Sequence, residues 1–151
     1  MNIRILVVEG EPVLAARLES LRHEYPDLGL VEWATTGAAA VAVAVELQPD
    51  IAFIDRYLPD ADGIDICDRL SPTIPDAALI ILSTEGSDQL RLRAVESGAC
   101  GLIAKAAPDQ DVVEAILRAA DGEFLMSRSV TLRLFKKQRS LRCHHTDRPR
   151  N

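Results

Sequence analysis

Cysteine is scarce in this chain. Cys67, Cys100 and Cys143 are odd in number, widely spaced and without a CxxC pair, so they offer no disulfide framework. With no secretory leader ahead of Ile3, the pattern predicts a reduced, cytoplasmic protein. Long hydrophobic runs are missing too. No apolar stretch approaches the ~20 residues that cross a bilayer, and the Ala/Val run from Ala38 to Val45 is short and ends in glutamate. GxxxxGK, GxGxxG and GxSxG do not occur, so nucleotide-binding and hydrolase motifs do not compete for the function.

What is present is one domain's worth of ordinary globular sequence: 151 residues, 48% hydrophobic and 26% charged. That length buries a substantial core without staples. The net charge of −6 conceals a split. Residues 1–127 carry 9 Lys and Arg against 22 Asp and Glu, while residues 128–151 carry 8 against the single Asp147. An acidic body therefore precedes a basic extension.

Along the body, short β-like runs alternate with longer helix-like stretches. Ile3 to Val8 reads as a strand. Pro12 to Arg22 reads as a helix with Leu14, Leu18 and Leu21 on one face. A weaker strand is expected over Leu30 to Ala34, and then an Ala/Val-rich helix capped by Thr35 or Thr36 and ended near Leu47 by "QPD". Ile51 to Ile54 is a buried-type strand ending at Asp55. It leads through a Pro/Asp/Gly loop to a short helix bearing Ile66, Cys67 and Leu70, which "SPTIP" is expected to stop. Ala78 to Leu82 and Gly101 to Ala104 complete the strands, with helices at Asp88 to Ser97 and Pro108 to Ala120. Five βα units with continuous apolar strands predict a parallel sheet covered on both faces, a doubly wound α/β fold.

Ligands of such sheets sit outside the carboxyl ends of the strands, near the switch in strand order. The residues there are Glu9, Gly10 and Glu11 after the first strand, Asp55 after the third, Ser83 and Thr84 after the fourth and Lys105 after the fifth. Carboxylates hold a hard cation such as Mg²⁺, while a hydroxyl and an ammonium bind oxyanion charge. Asp55 can then be a nucleophile that accepts a phosphoryl group.

The stretches "ILVVEGEP", "PDIAFIDRYLPDADG", "ALIILSTEG" and "GACGLIAKAAPDQ", in this order and spacing, resemble the receiver domains of two-component response regulators, the CheY-like family. The resemblance covers residues 1–122 and leaves 123–151 as a basic extension without a complete output domain. It implies the flavodoxin-like strand order 2-1-3-4-5, with Asp55 as phosphoacceptor, Ser83 as the switch hydroxyl and Lys105 as the lysine that contacts the phosphoryl group. The implied metal ligands are Glu9, Asp55 and the backbone carbonyl of Tyr57, with Mg²⁺ as cofactor.

Two positions depart from the family pattern. Receivers usually carry two adjacent acidic residues after the first strand, the second being the direct metal ligand; Gly10 stands in that second place and makes the acidic pocket degenerate. Leu102 stands where many receivers have an aromatic residue that reports phosphorylation.

The acidic cluster Asp60, Asp62, Asp65 and Asp68 fails the calcium-loop pattern and reads as a solvated loop and helix face. Cys143, His144 and His145 lack a second ligand pair at zinc-type spacing. The stretch "RSVTLRLFKKQRSLR" fits both a basic helix and an alternating strand, and a solvated or disordered tail is expected. Its charge suits an acidic partner, a nucleic acid backbone without sequence reading, or the protein's own acidic body.

The expected function is a single-domain response regulator rather than an enzyme. Asp55 takes phosphate from a sensor histidine kinase or phosphotransfer protein, and output is a contact with a downstream protein. Pairing of two copies through the surface of the fourth and fifth helices is a family-level option. The alternative is a phosphorylation-independent interaction module. An aspartate-nucleophile phosphatase would require DxD, whereas Asp55 is followed by Arg56 and Tyr57.

Overall fold

Every residue of the strand Ile51–Asp55 is buried, so this segment has no polar face to give to solvent and must lie inside a sheet covered on both sides. A computed structural model describes residues 2–146, with side chains described for residues 2–137. Its elements are β1 (Ile3–Val8), α1 (Val13–Leu21), β2 (Leu28–Ala34), α2 (Gly37–Leu47), β3 (Ile51–Asp55), α3 (Gly63–Thr73), β4 (Ala78–Ser83), α4 (Asp88–Glu96), β5 (Gly101–Ala104), α5 (Asp109–Ala120) and α6 (Arg128–Thr146). The strands form one parallel sheet in the order β2-β1-β3-β4-β5. The doubly wound α/β expectation and its strand order are therefore met.

The two-residue period of the strands divides the core in two. Leu6, Val8, Ala52, Ile54, Leu79 and Ile81 face one side and pack against Ala40, Ala44, Ile66, Leu70 and Ala94 of α2, α3 and α4. Ile5, Val7, Ile51, Phe53, Ile80 and Leu82 face the other and meet Leu14 and Leu18 of α1 with Val112 and Ile116 of α5.

Helix starts are fixed by side chains that accept otherwise orphaned backbone N–H groups. Thr36, not Thr35, caps α2 through Ala39 N (3.1 Å), and Ser87 caps α4 through Leu90 N (3.2 Å). Two members of the acidic cluster do the same work. Asp62 accepts from Ile64 N at the head of α3 (2.9 Å), and Asp60 reaches across to Gly37 N and Ala38 N at the head of α2 (2.9 and 3.2 Å). The bond from Gly37 is the main reason the Asp60 carboxyl is held below its ordinary range.

α3 runs through Pro72 and ends at Thr73, inside "SPTIP" as expected. A proline in the final turn removes only one ladder bond. The basic extension is not a free tail: Leu125 pairs with Gly101 beside β5, and α6 follows, lying against α4. Val130 is 1% exposed, Ser129 Oγ bonds Asp88 Oδ2 at 3.2 Å, and Lys137 Nζ pairs with Glu96 Oε1 at 2.5 Å. A helix there was undecidable from periodicity because its packing partner lies forty residues away in the chain. The side chains of Cys143, His144 and His145 lie outside the described residues.

Burying a charge at Val130 is expected to release α6. Val130→Asp should speed tryptic cleavage after Arg128 and Arg133 by roughly tenfold or more, the scale set by ~1–3 kcal/mol for an unpaired buried polar group. Unchanged cleavage in a time course would place α6 free of α4 already in solution.

Candidate functional site

The order of strands reverses between β1 and β3, so their carboxyl ends flank the crevice where an open α/β sheet binds ligands. A cavity of about 430 Å³ lies there, lined by Glu9, Gly10, Glu11, Asp55, Tyr57 and Lys105 and, deeper, by Leu14, Leu82, Ile103 and Val112.

Asp55 is 5% exposed at the end of β3. A buried carboxylate needs compensation. Its Oδ1 accepts from Tyr57 N at 3.0 Å, and its Oδ2 pairs with Lys105 Nζ at 2.5 Å. The turn after it is held by Arg56 N to Leu82 O (2.9 Å) and Gly63 N to Arg56 O (2.7 Å). Gly63 is compulsory here: a Cβ would lie 2.1 Å from the Asp55 carbonyl oxygen.

Lys105 begins the loop after β5, and its N–H bonds Ser83 O at 3.1 Å. Of the two candidate hydroxyls, Ser83 is 1% exposed at the end of β4 while Thr84 is exposed on the loop. Ser83 Oγ accepts from Glu85 N at 3.0 Å, so it is engaged with its own loop and not with Asp55.

Glu9 is also 5% exposed. Pro12 precedes α1 without a side-chain acceptor, and Glu9 Oε1 fills that role by accepting from Ala15 N at 3.1 Å. Burial raises the Glu9 carboxyl above its ordinary value, and the Asp55 charge adds to this; the amides of Ala15 and Leu14 and the charge of Lys105 oppose it. Its backbone carbonyl accepts the Trp33 indole N–H at 2.7 Å, so the only tryptophan of the chain is tied to the β1–α1 loop.

Gly10 differs from Gly63. A Cβ there would meet Pro59 Cγ at an ordinary 3.5 Å, and its φ lies outside the left-handed region. The backbone does not require glycine at this position.

The donor set fits Mg²⁺ poorly. That ion demands near-octahedral oxygen coordination. Glu9 is committed to Ala15, Asp55 to Lys105, and Gly10 offers no side chain. Among the described residues no three His, Cys, Asp or Glu side chains are grouped to hold a metal.

Collecting only the residues at strand termini missed a neighbouring cluster. Arg56 pairs with Glu85 at 2.8 Å and lies 5.1 Å over the Tyr57 ring, whose hydroxyl bonds Glu85 at 3.3 Å. Arg56 Nε is buried without a partner. The signal was adjacency: Arg56 follows Asp55, and Glu85 lies two residues after Ser83. Leu102 is buried in the core on the α4 side of the sheet.

Two outcomes follow. Since the folded-state carboxyl of Glu9 is raised above 4.5, its favourable contribution is complete below that pH and is lost as pH rises through the raised value. Glu9→Gln keeps an acceptor for Ala15 and removes this loss. The urea midpoint of Glu9→Gln relative to wild type should therefore climb between pH 4 and pH 7, and a flat difference would contradict a desolvated carboxylate. Gly63→Ala should cost about 1–3 kcal/mol in the same experiment through overpacking; Gly10→Ala should cost far less.

The Response regulator receiver domain model matches residues 5–117. The DNA-binding transcriptional activator DevR/DosR of Mycobacterium tuberculosis is 29% identical over 137 residues, covering 91% of this chain and 63% of that protein. The nitrate/nitrite response regulator NarL of Escherichia coli is 26% identical, covering 84% and 59%. The chain thus spans about three fifths of the length of these relatives. Among solved structures, a LuxR-family two-component response regulator from Aurantimonas superposes with a TM-score of 0.76 at 24% identity over 91% of this chain and 99% of that one. A CheY-like receiver domain protein from Methanospirillum hungatei gives 0.72 at 23%, over 81% and 96%. With the fold, the strand-end site and the family model in agreement, this chain belongs to the response regulator receiver domain family.

Proposed function

We propose that the protein is a phosphorelay receiver whose Asp55 accepts a phosphoryl group from the phosphohistidine of a sensor kinase or phosphotransfer protein. The observation that supports this best is the Asp55–Lys105 pair at 2.5 Å, set at the switch point beside a buried Ser83 hydroxyl. Asp55 Oδ attacks phosphorus, the P–N bond breaks with its electrons returning to the histidine ring, and an acyl phosphate forms. Lys105 then exchanges a carboxylate for phosphoryl oxygens without leaving the site. Ser83 gives up the Glu85 amide to donate its hydroxyl hydrogen to the same group. Mg²⁺ bound by Glu9, Asp55 and the Tyr57 carbonyl would supply charge neutralisation, weakly because Gly10 lacks the second carboxylate.

Output is a protein contact in the cytoplasm. α6 already covers part of α4, so pairing through the α4–α5 surface requires α6 to move or to take part.

Gly10 favours a second reading, in which the fold acts as an interaction module without phosphate. Incubation with acetyl phosphate, with and without Mg²⁺, followed by intact mass, separates the two. The receiver reading expects one phosphoryl group on wild type and none on Asp55→Asn. Gly10→Asp should label faster at a given Mg²⁺ concentration by at least about tenfold, the lower end for loss of a supporting metal contact. Labelling confined to Gly10→Asp would favour the interaction module.

A further inference from the structure

Two unmatched surfaces flank the β5 edge of the sheet, far from the strand-end crevice. α6 lies on α4 with Val130 turned inward, yet its outward side is not wholly polar: Leu132 is 49% exposed and Phe135 is 61% exposed. Arg128, Leu132, Phe135 and Lys136 stand at i, i+4, i+7 and i+8, so they share one face of the helix. Among the described residues Arg128 and Lys136 form no ion pair, whereas Lys137 is held by Glu96 of α4. The outer face of α6 is therefore an apolar pair set between unpaired cations.

The other side of the same edge carries the complement. A groove of about 320 Å³ lies between α5 and the segment that leads to α6, with Ile103, Ala115, Leu125 and Met126 as apolar walls and Asp111 and Glu114 along α5. Their i, i+3 spacing makes these two carboxylates neighbours on the helix. Both are exposed, and among the described residues neither forms an ion pair. The groove's one cation, Arg118, is engaged with Glu123 at 3.6 Å.

A single copy does not bring the two surfaces together. α6 starts two residues after Met126 and is anchored on the opposite side of β5, through Ser129 to Asp88 and Lys137 to Glu96. Nucleic acid and anionic lipid suit the basic face less well than a protein does. Residues 1–127 carry 22 Asp and Glu against 9 Lys and Arg, a charge that repels polyanions and attracts the basic helix of another copy.

We infer that two copies pair across the β5 edge, each seating Leu132 and Phe135 of its α6 in the groove of the other, with Arg128 and Lys136 of one beside Asp111 and Glu114 of the other. Helix and groove flank one edge strand, so a two-fold axis satisfies both contacts at once and the assembly closes as a dimer. Large exposed apolar side chains leave water in the process. α6 keeps its place on α4, and the contact is made by α6 and α5. The pairing needs no phosphate.

The test is sedimentation equilibrium of the unphosphorylated full chain at low and high salt. Wild type should form a dimer reversibly, more weakly as salt screens the charges. Phe135→Asp should weaken pairing by about thirtyfold or more, the scale of a central apolar anchor. Its urea midpoint should match wild type, because Phe135 is exposed. Reversing the helix with Arg128→Glu and Lys136→Glu, or the groove with Asp111→Lys and Glu114→Lys, should weaken self-association by about tenfold or more in each case. An equimolar mixture of the two reversed variants should pair again, since both contacts are then matched in charge. The inference is overturned if wild type stays monomeric at millimolar concentration, if the dimer is indifferent to Phe135→Asp, or if the mixture fails to pair. A monomer whose α6 face instead binds anionic vesicles or duplex DNA overturns it as well. Acetyl phosphate labelling reports on the receiver reading separately.

Discussion

Lys105 and Asp55 meet because β3, β4 and β5 lie side by side in register, with Asp55 opposite Leu82 and Ser83 opposite Ala104. That register carries the loop after β5 back over β4 to the end of β3. A carboxylate as buried as Asp55 is costly without a partner, and removing one member of a buried pair is worse than never having had it. The close turn at Gly63, the Tyr57 amide and the Lys105 backbone bond to Ser83 all serve to hold this one pair. They leave the Asp55 carboxylate oriented and the Lys105 ammonium fixed beside it.

Two neighbouring carboxylates in the crevice solve different problems. Asp55 is neutralised by a cation, whereas Glu9 is stabilised by a helix: its oxygen takes the amide that Pro12 cannot satisfy and sits at the positive end of α1. The same carboxylate therefore cannot be given wholly to a metal without uncapping the helix. Gly10 and Gly63 show how the backbone separates necessity from choice. At Gly63 a Cβ collides with a carbonyl, while at Gly10 it fits. What glycine changes at position 10 is the charge of the site, not the path of the chain.

The strands and the strand-end residues were legible because both follow from local signals, an apolar run and the residue that ends it. β5 was expected at Gly101 to Ala104 and lies there. The choice of Ser83 over Thr84 came with the family resemblance and not from the local pattern, since it depends on which hydroxyl faces inward after the strand ends. Asp60 is exposed, as the solvated-loop reading expects, but its capping of α2 was not legible because its partners at the head of that helix lie 22 and 23 residues away. α6 was left undecided between helix and strand for a similar reason: a basic helix is marginal alone and is fixed by tertiary burial of Val130.

The loop after β4 joins these separate parts. Ser83 Oγ holds the Glu85 amide, and the Glu85 carboxylate in turn holds Arg56 and the Tyr57 hydroxyl, on the turn that carries Asp55. The Ser83 hydroxyl is the acceptor that satisfies the Glu85 amide, so the loop's arrangement depends on which way that hydroxyl is turned. Arg56 Nε, buried without a hydrogen-bond partner, is a standing cost in this arrangement. α4 starts two residues after this loop's Gly86 and carries Asp88 and Glu96, the contacts that secure α6. Coupling between distant sites needs an element with two discrete states that both sites bias. The β4–α4 loop touches the Asp55 turn at one end and leads into α4, against which α6 lies, at the other.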